Sequence, residues 1–132
     1  MQTMPLRIPP GKDLRRALED ATAAHGCAAA FVASGIGSLR GARLRLAAAT
    51  CAHALDEDLE ILTLAGTISG NGSHLHISVA DAQGRVSGGH VSYGCIVRTT
   101  AEVLLLLLPE WSFSREPDSA TGFAELVVRP AR

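Results

Sequence analysis

Only one stretch of this 132-residue chain carries a helical period, and that contrast with the rest constrains the fold more than any other feature. Leu14, Ala17, Leu18 and Ala21 fall at i, i+3, i+4 and i+7 and make one apolar stripe. Asp13 is placed in the first turn, where a negative charge suits the helix dipole. His25-Gly26 reads as the stop, because Gly26 is free to take the left-handed conformation. Elsewhere the apolar residues alternate or run in short β-branched blocks between turn signals, which is the pattern of strands.

The strands follow in order. Leu6-Arg7-Ile8 opens the chain and stops at Pro9-Pro10-Gly11. Ala28 to Ser34 is expected to end in a glycine-rich turn, Gly35-Ile36-Gly37-Ser38. Arg40 to Ala48 alternates Leu44 and Leu46 with Arg43 and Arg45, a half-buried strand with a basic face. Leu59 to Ser69 follows, with Gly66 read as a bulge marker. Gly70-Asn71-Gly72 turns the chain into His74 to Ala80, and Asp81-Ala82-Gln83-Gly84 turns it back into Val86 to Tyr93. Cys95 to Leu108 is ambiguous between helix and strand, and its Val97, Thr99 and Thr100 favour strand. Residues 109–122, polar and with two prolines, read as a loop, and 123–129 as a final strand. One helix with about seven strands and hairpin-length connections gives a single α+β domain, largely antiparallel, with the helix packed on the sheet.

Composition narrows the function classes. Hydrophobic residues make up 47% and aromatic residues 4%, so the core must come from Ala, Val, Leu and Ile. A formal net charge of -1 lacks the basic footprint of a stand-alone DNA binder, and direct DNA binding is disfavoured. Cys27, Cys51 and Cys95 are odd in number and widely spaced, as reduced thiols are. Val103 to Leu108 is the longest strongly apolar run and falls far short of the roughly 20 residues that cross a bilayer. Met1 to Pro10 contains no signal-type apolar segment. A cytoplasmic setting without membrane contact is expected.

Three of five histidines gather in His74-Leu75-His76 and Gly88-Gly89-His90. Flanking Leu75 in a strand, His74 and His76 leave the same face. A hairpin return would bring His90 beside them. Three imidazoles on one surface suit zinc or another divalent transition metal. Glu60 or Glu102 would then be the general base of a hydration or hydrolysis reaction. Gly88 and Gly89 would let a ligand, or equally another backbone, approach closely. The alternative is a half-exposed polar face whose histidines bond to one another or to a neighbouring subunit. Gly35 to Ser38 lacks the βαβ setting of a phosphate loop. Arg40, Arg43 and Arg45 read as a solvated strand face. No GxSxG elbow is present.

Taken in order, Pro10-Gly11-Lys12-Asp13-Leu14, Gly35 to Ser38, Glu60 to Gly66, His74-Leu75-His76, Gly88-Gly89-His90 and Thr99-Thr100-Ala101-Glu102 resemble the PPC domain, the plants and prokaryotes conserved domain. The resemblance spans about residues 6–108. It implies an α+β homotrimer whose plant members join AT-hooks, which grip DNA, to a domain that contacts itself and other proteins. No Arg-Gly-Arg-Pro core of an AT-hook occurs in this chain. Of the plant partner-contact segment, Gly-Arg-Phe-Glu-Ile-Leu, only the second half is matched, within Glu57-Asp58-Leu59-Glu60-Ile61-Leu62. The resemblance implies a DNA-binding or regulatory homotrimer in which His74, His76 and His90 meet in a cleft as a metal or ligand pocket. The alternative reading is a metal-dependent enzyme on the same histidines.

Overall fold

A computed structural model describes residues 1–132. Helix α1, Leu14–Ala24, forms where its apolar period lies, burying Leu14, Leu18 and Thr22. The Thr22 hydroxyl donates to the Leu18 carbonyl at 2.9 Å, so its burial leaves no unmade bond. Asp13 stands one position before the first turn, as the N-cap, and its carboxylate accepts from the Arg16 amide at 3.0 Å. The helix stops at His25, and Gly26 follows with φ +72°.

Eight strands surround it: β1 Gln2–Ile8, β2 Ala29–Arg45, β3 Ala52–Ser69, β4 Gly72–Ala80, β5 Val86–Val91, β6 Val97–Leu107, β7 Trp111–Asp118 and β8 Phe123–Pro130. The first six form one antiparallel sheet in the order β1-β6-β2-β3-β4-β5, and β7-β8 form a separate hairpin. The end of β2 also pairs with β5, at Leu44 with Val91 and Arg45 with His90. Strands β2 to β5 therefore close on themselves as a small barrel. Its interior is aliphatic, with Leu39, Leu44, Leu75, Val79, Val91 and Val97 each almost wholly buried. The fully buried Cys95 belongs to the same core, and all three cysteines are free thiols. No helix is long and apolar enough to cross a membrane.

Three local expectations change. Gly35 to Ser38 is no turn, because β2 runs straight through it. A Cβ on Gly37, at φ +147°, would sit 2.7 Å from the Ala101 Cα, so glycine is needed there for close approach of β6. Gly66 marks no bulge either. It pairs regularly with Leu75, while the irregularity in β3–β4 falls between Ile61 and Thr63. Its φ of +145° and the Leu75 Cα, 2.8 Å from where a Cβ would be, explain the glycine. Finally, the loop expected over 109–122 contains strand β7. Its alternation is masked by Pro117 and by charged residues that face outward or into the site below.

Candidate metal centre

Strand β4 puts Leu75, Ile77 and Val79 into the core, which forces His74 and His76 onto the opposite face. The turn at 81–84 returns β5 antiparallel, and the register sets His90 directly across from His76. Pairing with Arg45 fixes His90 from its other side. The three imidazoles meet as the sequence implies, with ring centroids 4.8 Å apart for His74–His76, 5.1 Å for His74–His90 and 6.0 Å for His76–His90.

One nitrogen from each ring lies within 4.8 Å of the others, and the Nε2 atoms of His74 and His76 are 3.0 Å apart. A tetrahedral zinc with Zn–N near 2.0–2.1 Å needs nitrogens about 3.3–3.4 Å apart. The His74–His76 pair is thus close to ligand spacing, and the same two atoms share a hydrogen bond when no ion lies between them. The Nδ1 of His90 is buried without a partner. Burial first, then the charges of Arg45 and the neighbouring His74, holds the His90 imidazole down to about 4. Burial and the charge of Arg115 lower His74 in the same direction. Both rings are therefore neutral at physiological pH, the form that ligates metals. The donor set fits a divalent transition ion.

A polar cavity of about 360 Å³ opens beside His74 and His90, walled by Arg15, Arg45, Asn71, Ser73, Arg115 and Glu125 among others. Arg15 spends its guanidinium on the protein: Nε donates to Glu19 and Ser73, Nη1 to the Val91 carbonyl and Nη2 to the Ser73 carbonyl. It also lies 4.5 Å from the centre of the Tyr93 ring, and the Tyr93 hydroxyl donates to Glu19 at 2.7 Å. This network ties α1 to β4 and β5. Arg115 is delivered by β7. Asn71, at the β3–β4 turn, accepts from the Arg115 amide at 2.7 Å and donates to the Arg115 carbonyl at 2.9 Å.

The proposed bases are not brought here. Glu60 pairs with Ala80, four residues along β4 from His76, or about 13 Å at the rise of a strand. Glu102 faces Arg7 and Ile36 on β6, which touches neither β4 nor β5 in the sheet. The carboxylate at the site is Glu125, from β8. Gly88 and Gly89 border a second recess with His76 and His90. What fills the space of their missing side chains is backbone: a Cβ on Gly89 would lie 2.8 Å from the Arg45 carbonyl oxygen, and one on Gly88 3.3 Å from the Ser78 Cα. Their first role is to let β5 close against β2 and β4.

Sequence reasoning missed Arg115 and Glu125 because both lie in the hairpin, where no spacing links them to the histidines. Arg45 was visible only as a strand-face charge. Asn71 was visible as a turn residue, and its clamp on β7 has no local signal.

Fold and site together define a small α+β domain, a barrel with a three-histidine face that an added hairpin overhangs. The chain belongs to the Plants and Prokaryotes Conserved (PCC) domain family, whose model matches residues 1–109. It is 48% identical over 130 residues to the bifunctional protein GlmU of a Synechococcus strain, covering 98% of this chain. The chain spans about a fifth (21%) of that relative's length. Among solved structures, a hypothetical protein from Salmonella enterica is 35% identical with a TM-score of 0.94, the match covering 98% of this chain and 94% of that one. A metal-containing protein from Archaeoglobus fulgidus is 30% identical with a TM-score of 0.84, over 96% of this chain and 94% of that one.

Proposed function

We propose that this domain is a metal-binding regulatory module that works as a homotrimer in the cytoplasm, holding zinc or a similar divalent ion on His74, His76 and His90. One observation carries the reading: three imidazole donors converge within 4.8 Å. The Archaeoglobus relative, a metal-containing protein, supports it. The trimer is supported by exposed apolar side chains on β2 and β3, Phe31, Ile36 and Leu62, whose burial would favour self-association. With a net charge of -1, a DNA role of the kind implied by the family resemblance would run through a protein partner that carries the DNA contacts.

Metal analysis of protein purified without an affinity tag tests the centre. About one equivalent of metal per chain, native or after zinc addition and desalting, is expected of a three-histidine site. Less than about a tenth of an equivalent after zinc addition would sink the reading, given the tight binding of such sites. Light scattering of the same sample checks the trimer.

A second reading, metal-assisted hydrolysis or hydration, is favoured by Glu125, which lines the cavity beside His74. A zinc ion there would bring bound water to a pKa near 7, and Glu125 is the carboxylate placed to take its proton. A small-substrate hydrolase screen on wild type and His76→Ala separates the two readings. Equal activity in both leaves the binding module.

A further inference from the structure

We propose that the cavity beside the histidines is an oxyanion subsite, in which Arg45 and Arg115 grip the carboxylate or phosphate of a small ligand. The inference that one ligand oxygen also reaches the metal position rests on the metal reading above; the arginine subsite does not.

Arg15 is balanced by Glu19 at 3.1 Å, and each of its three guanidinium nitrogens donates to a protein acceptor. Arg45, half-buried at the end of β2, makes no side-chain hydrogen bond and no ion pair, although it lines the cavity. Arg115 gives one Nη2 bond to Thr67 at 2.9 Å, while its Nε is buried and without a partner. A guanidinium nitrogen buried without a protein acceptor is a costly arrangement, offset when an ordered water or a ligand supplies the acceptor. Glu125 lines the same wall, and its charge acts on Arg115 and His74 without a direct salt bridge to either arginine.

Two partly free guanidiniums against the single carboxylate of Glu125 leave the cavity with a net surplus of positive charge. A divalent ion on the histidines would raise that surplus further, and an anion between them offsets it. The planar fork of each guanidinium suits two oxygens of one carboxylate or phosphate. A polar cavity of about 360 Å³ has room for a small organic anion beyond the oxyanion itself.

Calorimetric titrations of inorganic phosphate and of acetate test this, each into metal-stripped and zinc-loaded full-length protein in a buffer of neither anion. At least one anion is expected to bind the stripped protein with Kd near or below about 10 mM, and at least tenfold more tightly after zinc loading. The tighter of the two identifies the ligand group. Arg45→Gln and Arg115→Gln should each weaken binding at least tenfold with zinc stoichiometry unchanged. Arg115→Lys, which keeps the charge but loses the fork, should fall between wild type and Arg115→Gln. Arg98→Gln, a surface arginine paired with Asp58 away from the cavity, should bind as wild type. If no zinc is taken up, the metal reading fails while the stripped-protein titrations still decide the arginine subsite. The proposal is overturned if neither anion binds either form, or if Arg45→Gln and Arg115→Gln bind like wild type.

Discussion

The barrel of β2 to β5 and the hairpin of β7 and β8 both contribute to one site, but they are held by different means. The barrel strands interlock through ladders that close around an aliphatic core, and His74, His76 and His90 all stand on such strands. In the hairpin only Phe113 is buried. Its attachments can be named singly: Gly70 amide to Phe113 carbonyl at 3.2 Å, Phe113 amide to Ala28 carbonyl at 3.1 Å, the two Asn71–Arg115 bonds, Arg115 to Thr67, and the edge contact of Phe31 with Phe113 at 5.8 Å. The three histidines thus sit on strands paired along both edges or closed into the barrel. Arg115 and Glu125 sit on a separate hairpin with few attachments to it. Metal affinity and anion selectivity should therefore be separable by mutation.

The largest effect should come from breaking the barrel. Gly66→Val would drive a branched side chain into β4 at a position with φ +145°, and a destabilisation above about 4 kcal/mol is expected. Urea unfolding, or insolubility on expression, reads it, and wild-type-like stability would show that β3 and β4 need no such close approach. Next comes removal of one donor from the intact scaffold. His76 is exposed, so His76→Ala should leave the melting temperature of metal-free protein nearly unchanged. Zinc affinity should fall about 100-fold or more, or about 2.7 kcal/mol. Competition against a chromogenic chelator measures it, and unchanged affinity would remove His76 from the centre.

Smaller still should be the loosening of the annex. Asn71→Ala deletes both bonds to the Arg115 backbone, at a cost of about 2 kcal/mol. Amide exchange should quicken in β7 and β8 and stay unchanged in β4 and β5. Equal quickening in both regions would mean that they unfold as one unit, and the contrast would fail.

These two regions also mark where the sequence was legible. Strands β4 and β5, the facing of His74 and His76 and the return of His90 followed from period-two alternation and two turn signals, because each is a local consequence of backbone geometry. The glycines misled where local rules had no access to the neighbour. Gly37 and Gly66 exist for strands that arrive from 101 and 75, not for their own turn or bulge. Glu60 and Glu102 were plausible bases only until register was known, since their distance from His76 depends on pairing partners. The hairpin's residues were the least visible. Arg115 is seated by Asn71, 44 positions away, and by Thr67, contacts that no periodicity records.

The last contrast is in pH, and here the two regions should answer in different windows. In metal-free protein His90 titrates at about 4 when folded, against 6.5 for an unperturbed imidazole. Between those values the unfolded chain binds the proton and the folded chain does not. Stability conferred by the neutral ring is thus fully present above 6.5 and is lost as pH falls towards 4. His74, lowered in the same direction, adds to the loss. Because His90 is only partly buried, solvent screening keeps the net effect to about 1 kcal/mol. In the hairpin, hydrogen bonds from Arg129 and Ser114 hold Glu116 down to about 2, against 4.5 for a free carboxyl. Its contribution is present above 4.5 and fades only as pH falls towards 2. Denaturant unfolding between pH 7 and 5 should therefore soften wild type more than His90→Gln, which keeps only the share of His74, while Glu116→Gln follows wild type. Equal slopes for wild type and His90→Gln over that window would show that the His90 imidazole is not held neutral by the barrel.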